Sequence, residues 1–448
     1  MSCVLFSQPD SIFITKIIIK GNSVTNNSII LRELTIKDGE FTEKNNLEYH
    51  LKKSRENLLN LSLFNFVDIS LNYLDPKSIE IDIYVEERWY IWLYPILEHA
   101  DRNFNNYLKD EDWDRINYGA YLEVDNFRGR NENLKIKVRL GFKEQYSIGY
   151  KIPYFDKKKQ HGLDFSISFF RQKVVAINTV ENKLVYFSSE NNYLKKYASF
   201  NGIYCYRPFL KSYHYINLTY YNSKVSDLII QENPYYYGCD GTKNQNLTLG
   251  YQFIYDNCDI KYYPTKGLYF EAGFFNTSLI NDVTSNFQRL KGNLNKYFKL
   301  SSFICYSFKI KVSKTIGENP AYVTTNALGY DEYLRGYEYY VIDGSDYYIF
   351  NNSFRFKILP EKIKTIDFIS FEKFKKIHYS VYMNLFFDSG YISDAENLTA
   401  FNNLSDSYLY SYGMGLDFVT YYDRMLRIEC SVNKLKQTGL YLHFEKYF

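Results

Sequence analysis

A chain of 448 residues carrying 54 basic and 51 acidic side chains, a formal net charge of +3, offers no basic field for holding nucleic acid. Its 48 tyrosines and 35 phenylalanines raise the aromatic share to 19% while mean hydropathy stays at −0.39, and no apolar run reaches the roughly 18 residues that a membrane-crossing helix needs. Transmembrane helices are excluded, whereas a lipid-facing band with tyrosine girdles around a polar interior fits these proportions.

Residues 1–12 begin Met1-Ser2-Cys3-Val4-Leu5-Phe6, without a basic region and too short for a complete signal peptide. They are expected to be the remnant of one, from a longer precursor. Residues 13–88 read strand, helix, helix, strand, strand. Ile14, Ile17, Ile18 and Ile19 form a β-branched run stopped by Gly21-Asn22. Asn26, Asn27 or Ser28 can cap a helix whose buried stripe is Ile29, Ile30, Leu31 and Leu34, and Leu47, Leu51, Leu58 and Leu59 mark a second between Lys44 and Leu61. The period then switches to two in Phe64–Leu71 and Ile79–Val85, with Asp75-Pro76 turning between them. In element order, and in Ile17-x-Ile19-x-Gly21-Asn22, Leu31-Arg32-Glu33-Leu34, Asn60-Leu61-x-Leu63-Phe64-x-x-Val67 and Val85-Glu86-Glu87-Arg88, this segment resembles a POTRA domain. Gly21, Leu63 and Phe64 are expected to hold its small core. An exposed strand edge would accept an extended client.

From residue 89 to 448 alternation is the rule. Leu134, Ile136, Val138, Leu140 and Phe142 interleave with Lys135, Lys137, Arg139 and Gly141, and so cationic a face must meet water. Leu163, Phe165, Ile167 and Phe169 stand against Asp164, Ser166 and Ser168 in the same way; Leu426, Ile428, Cys430 and Val432 stand against Arg427, Glu429 and Ser431. Counting such segments from 90–98 to 439–448 gives about sixteen strands, with poor alternation only in 287–299. In the last, Leu440, Leu442, Phe444 and Phe448 can face lipid and His443 the lumen, and Gly439 weakens it by removing side-chain packing. A soluble sandwich or propeller would not need aromatic outward faces on nearly every strand. The fold class expected is mainly β: a transmembrane antiparallel β-barrel of about sixteen strands preceded by one small α+β domain.

The connection 314–345 is too long for a tight turn, and long loops in compact architectures usually carry function. It centres on Leu334-Arg335-Gly336-Tyr337. Upstream lie Asp256 and Tyr263-Pro264-Thr265-Lys266-Gly267; downstream lies Phe386-Phe387-Asp388-Ser389-Gly390. With the POTRA-like segment and the carboxyl-terminal strand, these resemble the Bam-type insertase and two-partner-secretion superfamily of outer-membrane proteins, over essentially the whole chain. The ending GLYLHFEKYF and the hairpin YPTKGLYFEAGFF look most like bacteroidete members. The resemblance implies that the loop folds back into the lumen, with Arg335 as docked cation, Gly336 letting backbone approach the wall, and Asp388, between Phe386 and Gly390, as the receiving carboxylate. One departure bears on this. Where relatives often carry an acid before the arginine of the next strand, this chain has Phe354-Arg355.

His50, His99, His161, His214, His378 and His443 are scattered, without metal-ligand spacing. Neither a metal nor a cofactor is expected. The six cysteines form no CxxC pair; Cys239 and Cys258 are the one pair worth testing, and Cys430 reads as an outward hydrophobe. No GxSxG elbow, P-loop or GxGxxG is present, so an enzyme is not expected. The resemblance implies an assembly factor in the outer membrane, its POTRA domain in the periplasm, receiving unfolded outer-membrane proteins and inserting them at a seam between the strands Tyr90–Glu98 and Gly439–Phe448. Periplasmic or lipoprotein accessory subunits and the bilayer are its expected partners. A pore exporting one dedicated secreted protein is the alternative, and a passive diffusion barrel a third reading.

Overall fold

In the computed structural model, residues 11–99, 116–238, 241–280, 286–317, 321–394, 402–420 and 422–446 are described. The remnant expected over 1–12, Cys239 and the terminal Phe448 lie wholly or mostly outside them. The amino-terminal sheet is built on its isoleucines. Strand β1 (Ser11–Lys20) runs parallel to β4 (Ser78–Glu87), pairing Ile14 with Ile79, Ile17 with Ile81 and Ile19 with Ile83. Strand β3 (Phe64–Asp75) flanks β4, and β2 (Phe41–Glu43), too short to show a period, flanks β1. Helices α1 (Asn27–Glu33) and α2 (Lys44–Leu59) cover one face, Ile29, Ile30, Leu47 and Leu58 packing with Ile12, Ile14, Ile81 and Ile83. Each such side chain stabilises the fold by about 1.5–3 kcal/mol relative to exposure. Asn26 takes the N-cap position, but its side chain makes no capping bond. Its backbone N–H donates instead to the Gly129 carbonyl in the barrel, 2.9 Å away.

The barrel strands are β5 (Ile91–His99), β6 (Ile116–Phe127), β7 (Glu132–Gly141), β8 (Lys143–Ile152), β9 (His161–Gln172), β12 (Lys195–Phe209), β13 (Ser212–Val225) and β14 (Lys243–Asp256). They continue as β15 (Gly267–Leu279), β16 (Asn286–Lys299), β17 (Ile304–Ile316), β20 (Asp346–Thr365), β21 (Lys376–Ser393), β22 (Tyr408–Thr420), β23 (Arg424–Asn433) and β24 (Thr438–Lys446). All sixteen form one antiparallel sheet in chain order, as the alternation predicts. Two excursions leave it: the hairpin β10 (Val174–Val180) and β11 (Lys183–Ser188), and the pair β18 (Asn326–Leu328) and β19 (Ile342–Asp343). The run 162–176 reads as one strand in sequence, but the chain leaves the barrel after Gln172, and Glu181-Asn182, both at positive φ, turn the hairpin. Leu163, Phe165, Ile167 and Phe169 point outward, each more than 40% exposed to the membrane side. Alternation is masked in β16 because Gly292 and Lys296 share the outward face with Leu290 and Phe298, yet the strand pairs along its length with β15 and β17. Among the described residues no helix is long and apolar enough to cross a membrane.

Among the described residues β5 pairs only with β6 and β24 only with β23, so no backbone ladder joins the two ends of the sheet. At one mouth β5 instead touches the start of β23: the Trp92 ring lies edge-on to Tyr422 at 5.2 Å, and Arg424 Nη2 donates to the Tyr94 hydroxyl at 3.3 Å. Tyr90, expected to begin the seam strand, sits instead in the small domain's core, its hydroxyl donating to the Leu63 carbonyl.

The small domain is seated on that mouth. The Arg88 fork donates to both Asp423 oxygens at 2.7 and 2.9 Å, and Arg207 reaches both oxygens of Glu33 at 2.5 and 2.8 Å. Asn60 donates to the Asp259 carbonyl and accepts from the Lys261 N–H. A cavity of about 870 Å³ lies inside this junction, lined by Glu33, Trp92, Glu132, Lys151, Arg207 and Lys311 among others. Arg88 and Asp423 are 6% and 4% exposed. Arg88→Ala therefore leaves a buried carboxylate alone, a loss of about 3–5 kcal/mol. The expected outcome is release of the domain, read as faster proteolysis between residues 88 and 91, with Asp423→Asn giving the same pattern.

Within the domain, Glu87 collects the loop after β1: Ser23 Oγ, the Val24 N–H and both the N–H and hydroxyl of Thr25 donate to it within 3.1 Å. Burial alone would raise its carboxyl, but these bonds hold it below its ordinary value of 4.5. A lowered folded value means that the contribution is complete above the ordinary value and lost as pH falls through the folded one. Hydrogen-exchange protection of the Val24 and Thr25 amides, corrected for intrinsic rates, should fall on acidification in the wild type and show a smaller acid-dependent loss in Glu87→Gln.

Candidate functional site at the lumen wall

The segment between β17 and β20 folds into the barrel because its centre carries groups that only the inner wall can satisfy. Arg335 is 8% exposed. Its Nε and Nη2 donate to the two oxygens of Asp388 on β21, both at 2.6 Å, and Nη2 also reaches Ser353 Oγ at 3.2 Å and the Asn352 carbonyl at 3.3 Å on β20. Nη1 faces Glu429 Oε1 on β23 at 3.4 Å. The guanidinium carbon stands 3.8 Å from the Phe386 ring centroid, so one face is covered by π-density while the edge is read by carboxylates.

Gly336 has φ +85, where L side chains are strained, and an added Cβ would lie 3.2 Å from both Ser411 Cβ and Ser431 Oγ. Its carbonyl accepts from Asn433 Nδ2 at 2.9 Å. Leu334 is fully buried and fits over Gly390, where a Cβ would meet its methyls at 3.6 and 3.8 Å. The Tyr337 hydroxyl donates to the Tyr410 carbonyl at 3.0 Å and accepts from the Lys434 N–H at 3.2 Å. Leu334, Arg335, Gly336 and Tyr337 thus meet Phe386, Asp388 and Gly390 in one place. The terminal-strand residues stand apart: Leu440, Leu442 and Phe444 face outward in register with Cys430, Ile428 and Leu426, while Gly439 falls on the inner face beside Tyr441, whose ring occupies the space a Cβ would need.

Other residues of the site carry no loop motif. Glu429 supplies a second carboxylate from β23, while Phe354, the residue before Arg355, faces outward. Arg355 turns to the opposite task, donating through Nη2 to the Pro264 carbonyl at 2.5 Å and stacking 4.6 Å over Tyr263. The Tyr263 hydroxyl donates to Asp417 at 2.7 Å, Asp417 accepts the Arg427 fork at 2.7 and 3.0 Å, and Arg427 Nε lies 3.6 Å from Glu429. One line of alternating charge therefore runs from the Tyr-Pro-Thr-Lys-Gly turn to the docked arginine. Periodicity marks Asp417, Arg427 and Glu429 as inward, but which of them stand at one depth depends on the register of β22 with β23. Cys258 is buried with a free thiol, and Cys430 is exposed on the outer face as its strand position predicts.

Asp388 is inaccessible to solvent, so Arg335→Ala should cost about 3–5 kcal/mol and free the loop. Arg335→Lys should rescue little, since a point charge cannot serve two carboxylates and a ring face together. New protease cuts within 321–345, with the sheet still folded by circular dichroism, are the expected outcome for both.

The order of elements, the docked loop and the turn motif all bear on kinship. The Omp85 superfamily domain matches residues 126–420, and the POTRA model described as surface antigen variable number repeat matches residues 12–88. No curated protein matches the sequence. Among solved structures, BamA from Haemophilus ducreyi lacking POTRA domains 1–3 aligns over 97% of this chain and 84% of its own, at 15% identity and a TM-score of 0.51. CdiB from Escherichia coli aligns over 97% and 75%, at 9% identity and a TM-score of 0.56. At such identities the two structures speak for the fold alone, but the superfamily domain spans well over half of the sequence: this chain belongs to the Omp85 superfamily.

Proposed function

We propose that this protein is an outer-membrane factor that assembles other β-barrels, with its POTRA domain in the periplasm and without enzymatic activity. The observation that carries the reading is the open border of the sheet. Among the described residues no strand ladder joins β5 to β24, and at one mouth Trp92 and Tyr94 of β5 touch Tyr422 and Arg424 at the start of β23. An edge of free N–H and C=O groups templates an incoming strand by β-augmentation, and the folding of that client supplies the driving force. The small domain offers a second edge along the twelve residues of β3, suited to an unfolded segment before insertion. Unfolded outer-membrane proteins are the clients under this reading, with periplasmic or lipoprotein subunits as accessories and the bilayer as surroundings.

A second reading, export of one dedicated protein through the lumen, is favoured by the cavity at the seated mouth, lined by charged side chains such as Lys151, Arg207 and Lys311. Depletion separates the two. Assembly predicts that many outer-membrane proteins fall together; loss of a single secreted protein would favour export, and lost permeability alone a passive barrel. A thiol crosslink between Leu93→Cys on β5 and Leu442→Cys on β24 should abolish assembly in reconstituted vesicles while the barrel stays folded. Full activity in the crosslinked protein would refute insertion at this border.

A further inference from the structure

The stretch that follows the docked arginine brings a third acid into the lumen. Glu338, 4% exposed, comes from the loop; Glu429, 1% exposed, from β23; His443 from the terminal strand β24. One ligand atom of each lies within 4.8 Å of the other two. The imidazole Nε2 is 3.5 Å from Glu338 Oε1 and 3.7 Å from Glu429 Oε2. Tetrahedral coordination at zinc distances places neighbouring donors about 3.3 Å apart, so small side-chain movements suffice to close the set. Glu429 Oε2 and His443 Nε2 make no hydrogen bond, although the Glu429 side chain is almost wholly buried. Its other oxygen is the one that faces Arg335, Arg427 and Asn384.

A donor set of one imidazole and two carboxylates suits a borderline metal such as Zn²⁺ better than a hard, oxygen-seeking Ca²⁺. We propose that Glu338, Glu429 and His443 form a binding site for a zinc-type divalent cation that ties the inward loop to the last strand of the sheet. The tie reinforces contacts already made there. The Tyr333 ring stacks on His443 at 5.3 Å, and the Tyr340 hydroxyl donates to Gln437 at 2.5 Å. The site stands whether the barrel inserts clients or exports one.

The test uses the full chain in detergent, freed of metal with EDTA and titrated with Zn²⁺ against a chromogenic chelator. Saturable binding of one equivalent is expected, weakened about tenfold or more in both His443→Gln and Glu338→Gln and unchanged in His214→Gln on β13. Affinity unaffected by the first two variants, or no saturable binding by the folded wild type, would overturn the site. Should a variant fail to fold, Co²⁺ bound to the wild type decides the matter. Intense visible bands of a four-coordinate nitrogen and oxygen site support the proposal, and their absence defeats it.

Discussion

A guanidinium inside a narrow lumen must find acids, and the pairing of Arg335 with Asp388 organises much of what surrounds it. The ion pair alone would be weak evidence for stability, because removing two charges from water offsets most of their attraction. Here the remaining donors are also used, on Ser353, the Asn352 carbonyl and Glu429, and the Phe386 ring covers the flat face. That completeness explains how 25 described residues of connecting chain, 321–345, hold one position within the barrel. Gly336 and Leu334 then become intelligible as fit: one lets backbone approach Ser411 and Ser431, the other fills the space over Gly390.

Seating of the POTRA domain uses the same chemistry at the other end of the lumen. Two arginines at the junction, Arg88 and Arg207, are forked onto carboxylates with little solvent access. Close approach of the two bodies is permitted by a glycine. Gly129, at φ +69, lies so near the Val24 carbonyl that any Cβ would collide with it. Domain and barrel are thereby held by buried ion pairs and hydrogen bonds around a cavity of about 870 Å³.

The sixteen strands were legible because lipid on one side and water on the other write a period of two into the sequence. Arg335 and Asp388 were legible as family motifs, and their meeting follows from the loop's direction. Glu429 was legible only as an inward residue. Its role depends on standing at the depth of Asp388 two strands away, and strand register is not encoded in the alternation itself. The strand β2 was too short to show a period, and the seating of the POTRA domain joins residues more than 170 positions apart, such as Glu33 and Arg207. Scattered histidines conceal the proposed ligand set for the same reason: Glu338, Glu429 and His443 approach one another only after β23 and β24 are paired and the loop is docked.

A repeat of two leaves one ambiguity open. Sliding a strand by two residues, about 6.6 Å, keeps every greasy side chain outward and every polar one inward, so inside-outside sorting cannot oppose it. The inward loop can. It grips β20 at Ser353, β21 at Asp388, β22 at the Tyr410 carbonyl and β23 at Asn433, all from the three consecutive residues Arg335, Gly336 and Tyr337. Displacing any one of these strands by a single repeat would strand its partner out of reach, so Leu334 to Tyr337 act as a vernier that sets the alignment of the sheet's closing third.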